Sequence, residues 1–217
     1  MGHYVGFATI AHELSHLFGT IDLYFDGNGN FKNTLMGATI LGTSKNNMTS
    51  FHLDPWHKMI FGWVKPDVFN LDNGNGIVTL HAPQSSEKYN TYILTKKSWT
   101  GFEFFMIEYR SNLLNDDNIY DKGTQGWGLI IWHITDDLAA PRRVFTLGAS
   151  QLQKGGLNPW GYLYASQTPP INWFNGQSAN LALRVLDFTT TDTSIQVEII
   201  SKQKFFIAPI FLSLIHI

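Results

Sequence analysis

Two histidines and a glutamate near the start of the chain have the types and spacing of a metal site. His12 and His16 are four residues apart in a segment with helical periodicity, so both rings lie on one face and can bind one ion. Glu13 lies on the rim of that face, where its carboxylate can reach a water on the metal without being a ligand. Because the chain has no cysteine, a metal must be held by histidine and carboxylate. The pattern predicts a zinc site with Glu13 as the general base.

A third ligand is predicted shortly after the helix. Gly19 can adopt the left-handed conformation that ends a helix and turns the chain back, which would bring Asp22 to the metal. The alternative is a thermolysin-type site, whose third ligand is a glutamate on a later helix. The next glutamate after Glu13 is Glu87, in a segment that we expect to be strand and turn, so Asp22 is the better candidate. The other alternative is that both histidines are ordinary surface residues, but so specific a pattern seldom arises by chance.

The elements that must position these residues follow from apolar periodicity and turn residues. A helix is predicted over residues 6–18, a loop over 25–50, and a short second helix over 54–61. Beyond Pro66 the chain changes to short strand-like runs separated by turn residues. The predicted strands are 77–80, 91–95, 102–109, 128–134, 181–186 and 194–200. Two Asn-Gly pairs at residues 73–76 predict a hairpin before the first of them.

Composition narrows the class of protein. The chain has 217 residues, of which 44% are hydrophobic and 15% charged, and this balance is that of a globular protein with a buried core. A net charge of −2 without any Lys/Arg cluster makes nucleic acid an unsuitable partner. The apolar segment 205–217 is shorter than the ~20 residues that span a bilayer. No basic region followed by an apolar stretch opens the chain, so we expect no secretory signal within it.

The motif resembles the zinc site of the M6 family of metallopeptidases, the immune inhibitor A group, whose pattern has Asp where most metzincins have a third His. The matching residues are His12-Glu13-x-x-His16-x-x-Gly19-x-x-Asp22-Leu23-Tyr24. Later segments are similar in order and spacing: Thr-Leu-Met-Gly at 34–37 to the family's Met-turn, 53–64 to a helix ending in Gly-Trp, and 105–110 and 128–133 to two β-strands. The resemblance covers residues 6 to 200. Ile21 stands where the family usually has Pro.

The resemblance implies a secreted zinc endopeptidase acting on proteins or peptides. His12, His16 and Asp22 would bind zinc, Glu13 would take the proton of the attacking water, and Met36 would form an apolar floor under the metal. The implied fold is α+β: the C-terminal part of a metzincin-like zinc peptidase domain over 1–66, then a β-rich, sandwich-like domain over 67–200. Residues 201–217 form an apolar tail of doubtful origin.

By this resemblance, we expect everything that the family places before the zinc helix to be absent from this chain. We therefore expect the chain as given to bind zinc yet cleave proteins poorly, because part of the cleft and part of the cover over the apolar helix face would be missing. The alternative function is a catalytically idle fragment whose β domain serves binding or adhesion. Zinc content together with casein cleavage distinguishes the two.

Other conspicuous residues carry weaker predictions. The segment 26–30 begins like a calcium loop, but position 37, where an EF-hand needs Glu, is Gly, so a plain turn is favoured. The acidic segment 115–118, with Asp121, could hold Ca²⁺ by analogy with secreted proteases, although a solvated turn is the preferred interpretation. His133 lies in an apolar strand, where a hydrogen-bonded core histidine is favoured over a ligand.

Overall fold

A computed structural model describes residues 7–20, 52–84, 89–96, 103–111, 128–135, 144–146, 162–164, 171–173, 175–187 and 193–201. Across these ranges the chain is mostly β-sheet with few helices, which confirms the predicted β-rich character. The elements are α1 (Phe7–His16), α2 (Pro55–Ile60), β1 (Asp67–Asn70), β2 (Gly76–His81), β3 (Tyr92–Thr95), β4 (Glu103–Arg110), β5 (Gly128–Thr135), β6 (Val144–Thr146), β7 (Tyr162–Tyr164), β8 (Leu181–Asp187) and β9 (Ser194–Ser201).

Both helices end where their sequences predict. After His16, the last residue of α1, the chain makes one tight turn, and Gly19 has a φ of +90°, in the left-handed region that only glycine adopts readily. At α2 the Asp54 carboxylate accepts a hydrogen bond from the backbone N–H of His57 at 3.0 Å. Pro55 follows as the first helical residue, which needs no N–H partner. Cap and proline together fix the start of a helix too short to be stable alone.

The strands form two sheets. Sheet I has the order β1-β3-β4-β5-β6, with β1 parallel to β3 and the other pairs antiparallel. Sheet II has the order β2-β9-β8-β7 and is antiparallel throughout. The centre of sheet I is the long β4–β5 pair, in which Phe105 lies opposite His133 and Met106 opposite Trp132.

The two sheets share one apolar core, and α2 covers the other face of sheet I. Alternate residues of β4 and β5 point to opposite faces of sheet I, and each face carries buried apolar side chains. The shared core includes Leu80, Leu94, Phe105, Ile107, Tyr109, Ile131, Leu183, Val197 and Ile199. On the opposite face a second cluster joins Leu53, Met106, Ile130, Trp132 and Ile134 to Trp56, Met59 and Phe61. Burial on both faces explains why β4 and β5 read as nearly continuous apolar runs.

The hairpin predicted from the two Asn-Gly pairs is wrong. β1 and β2 flank these residues, but β1 belongs to sheet I and β2 to sheet II. The connecting turn at Leu71–Asn73 is a 3-10 helix, and Leu71 is buried in the shared core. A Cβ on Gly76 would lie 2.6 Å from the Phe69 ring, so glycine here permits the close approach of two layers.

The apolar face of α1 is exposed. Among its side chains, Ile10 is 46% exposed and Leu14 52%, and in the following turn Leu17 is 81% and Phe18 68% exposed. His12 and His16 are half-buried on a different side of the helix. The apolar face of the helix is therefore more exposed than the face that carries the histidines. Neither helix in the described ranges has the length and apolar run needed to cross a bilayer.

His133 is a hydrogen-bonded core histidine, as predicted. Its Nε2 atom lies 2.6 Å from Glu103 Oε1, and its ring packs 4.6 Å from that of Phe105 between centroids. Burial lowers the pKa of His133 to about 4 from its ordinary value of 6.5. The neutral ring donates its Nε2 proton to the carboxylate.

This burial predicts that the protein loses stability in mild acid. Below pH 6.5 the unfolded chain takes up a proton that the folded chain binds only near pH 4. The free energy of unfolding should therefore fall as pH drops through that window, by up to about 3 kcal/mol. Urea denaturation measures it, with His133→Gln as the variant that keeps a donor for Glu103 but does not titrate. A histidine NMR titration with a midpoint above 6.5 would contradict the prediction, because Glu103 would then be stabilising the charged ring.

Candidate metal centre

The two histidines of α1 point at one another through the atoms that bind metals. His12 Nε2 and His16 Nε2 are 3.2 Å apart, and the ring planes are nearly perpendicular, at 86°. Two nitrogen ligands at ~2.0–2.1 Å from one tetrahedral zinc ion would be about 3.3 Å apart. The helix therefore brings the two nitrogens to the separation that a shared ion requires, and the donor set suits zinc.

The other nitrogen of His16 is held by the chain that follows the helix. His16 Nδ1 lies 3.0 Å from the carbonyl oxygen of Thr20 and 3.3 Å from the Thr20 hydroxyl. A carbonyl only accepts, so in the neutral ring Nδ1 carries the proton and Nε2 carries the lone pair. A carbonyl partner of this kind fixes the orientation of many metal-binding histidines.

Two hydroxyl groups continue this contact beneath the helix. Thr20 Oγ1 lies 2.9 Å from Ser15 Oγ, and Ser15 Oγ donates to the His12 carbonyl oxygen at 2.6 Å. Thr20 is buried although it follows the helix, because the turn at Gly19 folds it back. Neither Ser15 nor Thr20 was singled out from the sequence. The available signal was a serine inside a helix, where such residues often bond to a carbonyl one turn earlier.

Of the other predicted site residues, only Glu13 lies within the described ranges. Glu13, which follows His12 in α1, is exposed. Asp22 and Met36 lie outside the described residues, as do the two segments considered for calcium. Within the described ranges no cluster of three or more histidine and carboxylate side chains occurs that could hold a metal. Two of the three proposed ligands are therefore brought together here.

The end of α1 contacts α2 through aromatic rings. The ring centroids of Phe18 and Phe61 are 6.2 Å apart, and those of Phe61 and Trp63 are 5.2 Å apart. Both contacts are tilted or edge-to-face, the arrangements that aromatic pairs prefer. Phe61 also packs against the cluster on sheet I. The turn after α1 is thus connected to sheet I through Phe61, the residue that ends α2.

A buried carboxylate holds the layer between α2 and sheet I together. Glu108 Oε1 accepts from Trp132 Nε1 at 2.9 Å and from Arg110 Nε at 3.3 Å, and Oε2 accepts from the Tyr89 hydroxyl at 2.8 Å. Arg110 also donates from Nη2 to the carbonyl oxygen of His52, just before α2, at 3.0 Å. Glu108 and Arg110 are fully buried. A buried charge pair of this kind is tolerated because hydrogen bonds satisfy both partners.

The pKa values of Tyr89 and Asp54, which lie near this layer, are shifted from their ordinary values. Burial raises the pKa of Tyr89 well above its ordinary value, and the neighbouring Glu108 carboxylate adds to the shift. The Lys58 ammonium lies 3.9 Å above the centre of the Tyr89 ring. Although burial raises the pKa of Asp54, its hydrogen bond to His57, 2.8 Å between Oδ2 and Nδ1, lowers the pKa below the ordinary value. Asp54 therefore stays ionised as the cap of α2.

Comparison with known proteins leaves the resemblance as a hypothesis. No family model, curated protein or solved structure matches this chain. The functional assignment consequently depends on the residues themselves and on their geometry.

Proposed function

We propose that this chain is a zinc-dependent endopeptidase of the M6, immune inhibitor A type. The observation that carries the proposal is the 3.2 Å separation of His12 Nε2 and His16 Nε2, on a helix that also presents Glu13 to solvent. The spacing of Gly19 and Asp22 after them supports the family, because it follows that family's pattern.

The residues take separate roles in this proposal. His12, His16 and Asp22 would hold the ion. Zinc bound there supplies Lewis acidity, which polarises a carbonyl oxygen and lowers the pKa of a coordinated water to about 7. Glu13 accepts a proton from the attacking water and passes it to the leaving amine. Met36 would supply the apolar floor that the resemblance implies.

The finer architecture belongs to the same proposal. Residues 1–66 form part of a metzincin-like catalytic domain, and 67–200 form the β-rich domain that follows it. The packing of α2 on sheet I supports a fixed relation between the second helix and the strands. Extracellular proteins or peptides are the proposed substrates, and Ca²⁺ is a further candidate ion for the acidic segment 115–118.

Metal analysis tests the ligand set. The chain should bind one zinc per molecule, and His16→Ala or Asp22→Ala should each weaken binding by at least the roughly 10–100-fold that loss of an outer-shell partner costs. His81→Ala, on β2, is the matched control and should bind like the parent. Unchanged affinity in Asp22→Ala would mean that the third ligand has been misassigned. Zinc binding without cleavage of casein in a full-length version of the protein would favour the alternative, an idle fragment whose β domain serves binding.

A further inference from the structure

A continuous series of hydrogen bonds connects the two proposed zinc ligands beneath the helix. It passes from His16 Nδ1 to Thr20 Oγ1 at 3.3 Å, from there to Ser15 Oγ at 2.9 Å, and then to the His12 carbonyl oxygen at 2.6 Å. The positive φ of Gly19 folds Thr20 back under the last turn of the helix and so closes the series. In this series Ser15 stands between the two histidines.

The His12 carbonyl oxygen, at one end of this series, determines which group donates each hydrogen bond. The His12 carbonyl can only accept, so the Ser15 hydroxyl gives its single proton there. Ser15 Oγ is then an acceptor toward Thr20, and the Thr20 hydroxyl proton is directed at Ser15. Thr20 therefore presents only lone pairs to His16, from its hydroxyl at 3.3 Å and its carbonyl at 3.0 Å. Both acceptors require the proton on Nδ1.

We infer that Ser15 and Thr20 are positioning residues for the metal site, which hold His16 in the Nδ1–H form and so leave Nε2 as its metal-binding atom. This inference rests on the proposed function, since it concerns the same site. Histidine ligands are commonly oriented through their second nitrogen, and the loss of that partner typically weakens metal binding by about 10–100-fold. Here the partner is Thr20, and the direction of its hydroxyl proton is set by Ser15, the next residue in the series.

The arrangement predicts an unequal response to two small substitutions. Ser15→Ala removes the acceptor for Thr20, whose hydroxyl proton is then free to rotate toward His16 Nδ1 and favour the opposite ring form. Thr20→Val removes the hydroxyl but keeps the carbonyl acceptor, and it introduces no competing donor. Ser15→Ala should therefore be the more damaging change, although Ser15 is the residue farther from the ring.

Two measurements on the whole chain test this. Nitrogen-15 NMR of histidine in zinc-free protein distinguishes the Nδ1–H from the Nε2–H form, and competition with a chelator gives the zinc dissociation constant. We expect His16 to be in the Nδ1–H form in the parent and to shift toward Nε2–H in Ser15→Ala, with zinc binding weakened by about 10-fold. Ser15→Thr keeps a hydroxyl and should restore both values toward those of the parent.

The double variant separates this role from a loss of stability. Destabilising effects of two neighbouring losses would accumulate, whereas Ser15→Ala with Thr20→Val should bind zinc no more weakly than Ser15→Ala alone, because the misdirected donor is gone. An Nε2–H ring in the parent, or unchanged ring form and affinity in Ser15→Ala, would overturn the inference. Parent protein that binds zinc no better than His16→Ala would instead overturn the proposed function, and the NMR result would still decide the ring form.

Discussion

Glu13→Gln is expected to lower the rate of peptide hydrolysis by roughly 10²–10⁴-fold, the usual contribution of a positioned general base. The amide has nearly the shape of the carboxylate, but it cannot accept a proton from water. Because Glu13 is exposed beside the histidines and is not one of the proposed ligands, zinc content should remain that of the parent. A fall in turnover without a fall in metal separates base from ligand.

Casein cleavage is measured for parent and variant in a full-length version of the protein, both carrying one zinc per chain. The matched control is Glu198→Gln, the same chemical change on β9 of sheet II, where Glu198 pairs with Arg184 at 3.2 Å. The control should cleave at the parental rate. Near-parental turnover by Glu13→Gln would show that another group takes the proton.

Glu108→Gln is expected to lower the free energy of unfolding by about 3–5 kcal/mol, the typical cost of leaving one member of a buried ion pair without its partner. Arg110 is fully buried and would lose its carboxylate. Trp132 and Tyr89 would share an amide that offers one acceptor oxygen where the carboxylate offered two. The effect should exceed that of any single surface substitution.

Urea denaturation at neutral pH measures this loss. Glu198→Gln breaks an ion pair that is partly open to solvent and should change stability by only about 0–1 kcal/mol. The double variant Glu108→Gln/Arg110→Met removes both charges and should be less destabilised than Glu108→Gln alone. If Glu108→Gln unfolds like the Glu198 control, the buried carboxylate is not what holds this layer together.

The sequence predicted the strongly periodic elements well, because their signals are local. Both helices and the six predicted strands are present with small differences at their ends. The strands β1, β6 and β7 were missed; β6 and β7 have only three residues each, which carry too little alternation to recognise. The Asn-Gly pairs were misread because such turn residues can connect two strands of one hairpin or two strands of different sheets. Here they connect β1 of sheet I to β2 of sheet II.

In the site too, contacts set by neighbouring residues could be predicted, and contacts between distant segments could not. Helical spacing was enough to predict that His12 and His16 meet on one face, which their Nε2 separation agrees with. The role of Thr20 was not predictable, because it depends on how far the turn at Gly19 folds the chain back. Glu108 and Arg110 stood out only as charges within an apolar run. Their partners come from a neighbouring strand and from the segment before α2, and only the folded sheet reveals them.

The pairing of β2 with β9 has a consequence for how the protein is made. Gly76 pairs with Ile199 and His81 with Ser194, so one edge strand of sheet II is synthesised long before its partner. Contacts between residues so distant along the chain close slowly, because the intervening loop loses much entropy before any contact forms. During synthesis the β4–β5 pair can form first, with the face that sheet II later covers still open to water. Until β9 has emerged from the ribosome, the nascent chain exposes that apolar surface and is a natural client for chaperones.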